Sequence, residues 1–256
     1  MTTRVDTESS VPGRMGRRSL GGYLFMPAAL AVVLLIVYLS VSNRDLDSAE
    51  ESRLDFGYIL ARTQEHLILT LVSTLLVLVI AIPLGIMLTR PFARFATPVA
   101  ISVFNIGQAV PTIGLVAILV IAWTIGFMPM LVALVAYTTL PVLRNTMVGL
   151  QQVDASVIES ARGMGMTKLA VLTRIELPLA VPVIMAGLRT ALTINVGTAT
   201  LGAFIGAGTL GLLIVSGFSG NRPLISIVGG ILVAVLALLV DYVAGIAEDV
   251  LRPRGL

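Results

Sequence analysis

The chain has 256 residues, of which 57% are hydrophobic and only 12% are charged, about half the charged share of a soluble domain. This composition predicts an integral membrane protein, and the lack of cysteine excludes disulfides, thiol nucleophiles and cysteine-ligated metals. The formal net charge of +3 does not indicate nucleic-acid binding, because the basic residues cluster at the ends of apolar segments.

The first part of the chain combines a polar tail with one apolar segment. Residues 1–21 are expected to form a cytoplasmic tail. Residues 22–41 are long and apolar enough to cross a bilayer, and no small-residue cleavage site follows, so we predict an uncleaved transmembrane helix. Residues 42–64 are acidic and predict an extracytoplasmic connecting segment, mainly a solvated loop, with a partly helical segment as the alternative. His66 is the sole histidine, and we expect it at the membrane boundary.

Five further apolar segments each predict a transmembrane helix. They cover residues 67–89, 97–123, 128–143, 179–201 and 224–245. The start of the helix at 179–201 is left open, because Pro182 could keep the chain on the membrane surface before it enters. The fold class is therefore all-α integral membrane, with about six transmembrane helices. The G-x-x-x-x-G-K-[ST] motif of an ATPase does not occur in the sequence.

Basic residues indicate the orientation, since cytoplasmic segments carry an excess of arginine and lysine. With both termini in the cytoplasm, twelve of the 17 lysine and arginine residues lie inside. Four lie outside, and Arg189 is not assigned. We therefore expect cytoplasmic tails at residues 1–21 and 251–256, and a cytoplasmic position for residues 154–178.

Residues 154–178, called the coupling loop below, are a polar-capped, charge-bearing interruption between the apolar segments at 128–143 and 179–201. Asp154, or Ser156 together with Glu159, is expected to cap the start of a helix. This cap predicts a first helix that lies outside the membrane.

Glycines end this first helix and a second one follows. Gly163 and Gly165 accept the left-handed backbone found at helix ends, Thr167 caps the second helix, and Pro178 is expected to bar its continuation. Both helices would have about ten residues, too few to cross a bilayer. The apolar face of the second helix is expected to hold Leu169, Leu172 and Ile175, with Lys168 and Arg174 outside it.

The coupling loop resembles the EAA signature of the permease subunits of ABC importers. That pattern is EAA, three residues, G, nine residues, I, one residue, LP. The sequence matches it at Glu159, Ser160, Ala161, Gly165, Ile175, Leu177 and Pro178, with serine replacing the middle alanine. The resemblance implies a type I importer permease, with a transmembrane domain at residues 65–250 and a cytoplasmic coupling-helix loop.

The resemblance also implies partners and site residues. The chain would not be an enzyme and would bind no cofactor itself, with ATP and Mg on a separate ATPase. Its partners would be two ATPase subunits, a second permease chain, identical or paralogous, and an extracytoplasmic solute-binding protein, in a bacterial cytoplasmic (inner) membrane. The residues implied to contact the ATPase are Glu159, Ser160, Ala161, Arg162, Gly163, Met164, Gly165, Met166, Ile175, Leu177 and Pro178. Glu159 and Arg162 are spaced for an i,i+3 ion pair.

The segment Gly206–Gly211 fits G-x-G-x-x-G, but the strand, helix and acidic residue of a dinucleotide site are not indicated around it. We expect a glycine-rich hairpin or re-entrant turn instead. Residues 137–149, 182–198 and 199–211 resemble the osmoprotectant branch of the permeases, the importers of glycine betaine, carnitine, choline or proline.

Polar residues inside transmembrane helices are costly, so they face protein or water. We predict that six residues line the translocation pathway, with hydrogen bonds between helices as the alternative. They are Asn105, Gln108, Pro111, Asn195, Thr198 and Thr200. Asp241 is expected to form an ion pair with Arg189 rather than an ion site.

Together these patterns predict the transmembrane permease subunit of an ATP-driven ABC importer for osmoprotectants. A permease for another small polar solute, such as an amino acid, and a carrier driven by an ion gradient are the alternatives. Only 5% of residues are aromatic, whereas quaternary ammonium groups are held by aromatic cages. Solute recognition is therefore expected to depend on the separate binding protein.

Overall fold

The computed structural model describes residues 20–93 and 95–251. Within these ranges it contains eleven α-helices and no β-strand, as the all-α prediction requires. Residues 1–19 and 252–256, which carry most of the two predicted tails, lie outside the described residues, as does Arg94.

The first three helices are α1 (Leu20–Ser42), α2 (Ser48–Leu54) and α3 (Phe56–Leu88). The predicted connecting segment at 42–64 is largely helical, which is the partly helical alternative, and α3 begins eleven residues before the expected start at 67. Asp55 caps α3 by accepting the Tyr58 backbone N–H at 3.0 Å. At 33 residues, α3 is about 50 Å long, which exceeds the thickness of the hydrocarbon core.

The helix predicted at 97–123 is two helices, α4 (Ala96–Ala109) and α5 (Thr112–Ala122), which meet at 93°. Val110 has extended backbone angles (φ −72°, ψ 127°). The cause is Pro111, since a proline ring excludes the helical conformation from the residue before it.

The helix α6 (Phe127–Gln151) leads into the coupling loop and extends beyond the predicted 128–143. Within the loop lie α7 (Ala155–Gly163) and α8 (Lys168–Val171). A π-helical turn, Leu172–Glu176, then joins α8 directly to α9 (Leu177–Ala199). Pro182 lies inside α9 and does not hold the chain outside it.

The last elements are a 3₁₀ turn (Thr200–Ile205), α10 (Gly211–Ser219) and α11 (Pro223–Leu251). The sequence patterns do not indicate α10, which begins with glycine and is only nine residues long. It packs against α11 as a helical hairpin, with Gly217 lying directly against Ser226. The glycine-rich segment predicted as a hairpin or re-entrant turn is a turn at residues 206–210 that precedes this helical hairpin.

Five of the described helical segments are long and apolar enough to cross a membrane, and the bent pair α4–α5 would make six if it is one broken span. Three of them form the centre of the molecule, where α6 packs along both α3 and α9. Small residues permit this approach: a Cβ added at Gly187 would lie 2.6 Å from the Asn145 Cβ. The coupling loop is attached to this three-helix core.

Candidate coupling loop and polar groove

The first helix of the coupling loop begins at Asp154. Its Oδ1 accepts the Ser156 backbone N–H at 2.8 Å. Hydrogen bonds from the backbone and the side chain of Ser156 lower the pKa of Asp154. Of the two predicted caps, the structure therefore has Asp154 and not the pair of Ser156 and Glu159.

A Schellman motif ends α7. The Met166 N–H donates to the Ala161 carbonyl at 3.2 Å, and the Gly165 N–H donates to the Arg162 carbonyl at 2.9 Å. Gly165 has φ +86°, a conformation that favours glycine. Gly163, also expected to adopt the left-handed conformation, remains helical.

The second half of the loop begins as predicted but does not end as predicted. Thr167 caps α8 by accepting the Ala170 N–H at 3.2 Å. Pro178 does not stop the helix: the Leu177 N–H reaches back five residues to the Leu172 carbonyl. This wider turn makes room for the ring of Pro178. No hydrogen bond from residue 178 is lost, because proline has no backbone N–H. Helical structure consequently continues over 38 residues, from Lys168 to Ile205.

The coupling loop exposes apolar side chains. Met164 is 77% exposed and Leu169 is 69% exposed, and Val157 is also exposed. The expected apolar face is therefore only partly correct, since Leu172 and Ile175 are half-buried while Leu169 faces outward.

The polar residues of α7 also face outward. Glu159, Ser160 and Arg162 are exposed, and the described ion pairs do not include the expected pair between Glu159 and Arg162. Ala161 is buried. The loop thus presents charged and apolar groups side by side, as a docking surface does.

An ion pair that the sequence analysis missed links the loop to α3. Both oxygens of Glu176 accept hydrogen bonds from the guanidinium of Arg90, and Glu176 is only 5% exposed. The two residues are 86 positions apart, so no local pattern indicates their contact.

Three predicted pathway residues lie at the bent pair α4–α5. Asn105 accepts a hydrogen bond from Arg144 at 2.6 Å, and Gln108 donates to the Tyr137 carbonyl at 2.9 Å. Both bonds tie α4 to α6, which is the interhelical alternative. Pro111 is exposed at the bend.

Asn195 does not line an open pathway in this structure. It is fully buried, donates to the Thr74 hydroxyl at 3.0 Å, and accepts from the Thr138 hydroxyl at 3.2 Å. These bonds connect α3, α6 and α9, because a buried amide needs partners on every side that packs against it.

Thr198 and Thr200 line an open groove of about 570 Å³ along α9, together with Thr193 and Gly197. A neighbouring groove of about 480 Å³ includes Thr190 and Thr193. Tyr137, Ile194 and Leu201 also line these two spaces, which we call the polar groove after its threonine hydroxyls. Its lining was not predicted, but it is regular: small residues recur at alternating spacings of four and three, which puts them on one helix face. They are Ala186, Thr190, Thr193, Gly197 and Thr200.

Charged residues border the polar groove. Arg189 binds both oxygens of Asp241 at 2.9 and 2.8 Å and reaches Glu248 at 3.2 Å. The predicted pairing of Asp241 with Arg189 is confirmed. Because both oxygens are engaged, Asp241 is a poor candidate for a coupling-ion site.

Residues 81–253 match the family described as binding-protein-dependent transport system inner membrane component. The chain belongs to that family. This membership confirms the ABC permease resemblance and implies a membrane location, a binding protein and an ATPase as partners.

This permease is similar to several curated relatives. It is 40% identical over 200 residues to the choline transport system permease protein OpuBB of Bacillus subtilis, covering 78% of this chain and 91% of that protein. Identity is 38% over 200 residues to the glycine betaine/carnitine/choline transport system permease protein OpuCB of the same organism, with the same coverage. Identity is 39% over 210 residues to the osmoprotectant import permease protein OsmY of Salmonella typhimurium, covering 82% of this chain and 88% of that protein.

Solved structures share the fold of this permease. An inward-facing MetNI methionine ABC transporter superposes with a TM-score of 0.68 at 25% identity, covering 79% of this chain and 99% of that chain. An amino acid ABC transporter with histidines superposes at 0.65 and 16% identity, covering 80% and 99%, which shows the fold alone.

At the end of α3 far from the coupling loop, the permease has a tightly packed glycine-rich turn (residues 206–210). His66 is fully buried there, and its expected position at the membrane boundary stays a prediction. The Leu210 N–H donates to Nδ1 at 3.3 Å, and Nε2 lies 2.9 Å from the Val196 carbonyl. Since Nδ1 accepts, Nε2 carries the proton and His66 bridges α3, α9 and this turn.

Proposed function

We propose that this permease carries osmoprotectants, compounds such as glycine betaine, choline, carnitine or proline, in an importer driven by ATP hydrolysis on a separate subunit. The observation that carries the proposal is the similarity to choline, carnitine and osmoprotectant permeases over about four fifths of the chain. The matched EAA signature within an exposed, well-capped loop supports the ATP-driven mechanism.

The coupling loop is the proposed contact with the ATPase. Its exposed apolar side chains, above all Met164 and Leu169, have no cover within the described chain, and a partner would remove them from water. The residues proposed at this contact are Glu159, Ser160, Arg162, Gly163, Met164, Gly165, Met166, Ile175, Leu177 and Pro178. Ala161, expected at the contact from the sequence, is buried and would support the loop from inside. ATP and Mg would bind to the ATPase and not to this chain.

The proposed orientation has both termini and the coupling loop in the cytoplasm of a bacterial cell. The excess of arginine and lysine in the segments so assigned supports it. Two ATPase subunits and a second permease chain, identical or paralogous, would complete the importer, with the binding protein on the opposite side.

The polar groove is the proposed translocation pathway, with Thr198 and Thr200 from the sequence prediction and Thr190 and Thr193 added. The hydroxyls of Thr190, Thr193 and Thr200 donate to carbonyls of the same helical segment, and their oxygens can still accept hydrogen bonds from water or a polar solute in the groove. Asn105, Gln108, Pro111 and Asn195 would instead position the helices that surround the groove.

Transport in proteoliposomes tests the function. The full complex is reconstituted with ATP inside, and radiolabelled choline, glycine betaine, carnitine and proline are supplied with the binding protein outside. We expect ATP-dependent uptake of at least one of them, and none from the permease alone. Uptake of methionine or another amino acid only would overturn the substrate assignment, and uptake driven by an ion gradient without ATP would overturn the mechanism.

A further inference from the structure

The ion pair of Arg90 and the buried Glu176 joins two parts of the chain that lie 86 positions apart in the sequence. The coupling loop continues from α6 and into α9, so those two helices must respond when the loop moves. The helix α3 does not continue directly into the coupling loop. Arg90 follows the end of α3, and Glu176 is the last residue of the π-helical turn.

The contact is directional. Two guanidinium nitrogens bond two carboxylate oxygens, a bidentate geometry that fixes orientation as well as distance. Beneath it, apolar side chains of α3 and of the loop pack against one small core. They are Ile82, Ile86, Leu172 and Leu177, around Leu150, Ala180 and Ile184. Apolar contacts can slide over one another, whereas a buried carboxylate that loses its partner is strongly disfavoured.

We propose that Arg90 and Glu176 are positioning residues for energy coupling: their ion pair makes α3 move with the coupling loop when the ATPase acts on it. This inference rests on the proposed ATP-driven function. The π-helical turn contributes by setting how α9 is rotated about its axis relative to α8. Its one extra residue corresponds to a rotation of about 100°. Displacement of the loop would thus reach all three central helices together.

The first experiment measures solute transported per ATP hydrolysed by the complete complex in proteoliposomes. For Glu176→Gln and Arg90→Gln, we expect the ratio to fall about fivefold or more, the lower range for coupling between sites, while ATP hydrolysis continues. Exchange of the two charges, Arg90→Glu with Glu176→Arg, should recover part of the ratio. The controls are Asp47→Asn and Arg222→Gln, which break an exposed ion pair between the segments that precede α2 and α11 and should leave the ratio unchanged.

The proposal is overturned if transport and ATP hydrolysis fall in parallel with an unchanged ratio. It is equally overturned if the single variants fail to assemble and neither the charge exchange nor Arg90→Lys restores coupling, because the pair would then serve folding only. Failure of the unaltered complex to transport any osmoprotectant counts against the proposed function instead.

A second experiment needs no solute. Because the chain lacks cysteine, spin labels can be attached through Met87→Cys on α3 and Arg174→Cys on the loop, both exposed positions. In the assembled complex, the distance between the labels should stay the same with and without trapped nucleotide. In the Glu176→Gln background, nucleotide should change or broaden it. A nucleotide-dependent distance when Glu176 is intact contradicts the proposal, whatever solute is carried.

Discussion

Two glycines at opposite ends of the molecule differ in what surrounds them. A Cβ added at Gly165 in the coupling loop would meet no atom within 4 Å, whereas one added at Gly211 would overlap the Thr200 backbone carbonyl. The first glycine serves backbone conformation and the second serves packing. The coupling loop is therefore exposed and open to a partner, while the glycine-rich turn and the start of α10 are closed against α3 and α9.

The largest expected effect comes from filling the closed end. Gly211→Ala places a methyl group against backbone that cannot rotate away, and we expect a loss of about 3 kcal/mol in folding free energy, the upper range for overpacking. Thermal unfolding of the detergent-solubilised permease measures it. Gly230→Ala in α11 is the control, because its Cβ meets no atom within 4 Å. Equal melting temperatures for the two variants would contradict the packing role.

His66→Phe should have the next largest effect. The change leaves the Leu210 N–H and the Val196 carbonyl without their partner in a buried site, at a cost of about 2 kcal/mol. His66→Gln retains a donor and an acceptor and should lose less in the same unfolding measurement. Indistinguishable losses would mean that ring volume, rather than hydrogen bonding, holds this end together.

The sequence predicts the two ends unequally well. Asp154, Gly165 and Thr167 act on residues within five positions of themselves, so capping rules identify them. His66 and Glu176 act on residues 130 and 86 positions away, and nothing near them in the sequence indicates those contacts. The sequence does not indicate the π-helical turn either, because proline normally ends a helix. Only the widened turn before Pro178 allows the helix to continue.

At the open end, Gly165→Val should reduce stability by only about 1 kcal/mol, the cost of a left-handed backbone for other residues. Uptake should nevertheless be lost, because valine disfavours the left-handed conformation and would force the coupling loop out of the Schellman motif that ends α7. Gly165→Asn, which tolerates this conformation, should retain more uptake at equal expression. Equal uptake by the Gly165→Val and Gly165→Asn variants would contradict this role of Gly165.

The smallest effect concerns Asp47, an exposed cap of α2. The backbone N–H of Glu50 and the Arg222 guanidinium hold its pKa below the ordinary value, so the carboxylate stabilises the fold at neutral pH and this contribution is lost as pH falls through the lowered pKa. The difference in melting temperature between the unaltered protein and Asp47→Asn should be constant down to about pH 4 and shrink below it. A difference that grows in acid would contradict this sign.

The helix α1 has a consequence for synthesis in the cell. It contacts the rest of the chain through α11, where Tyr242 bonds the Tyr23 carbonyl and Tyr23 bonds Asp249. These partners are translated more than 200 residues later, roughly 10 to 50 s at ribosomal rates. During that interval α1 has no partner from α11, and a surface that is apolar on every side allows it to remain in lipid alone.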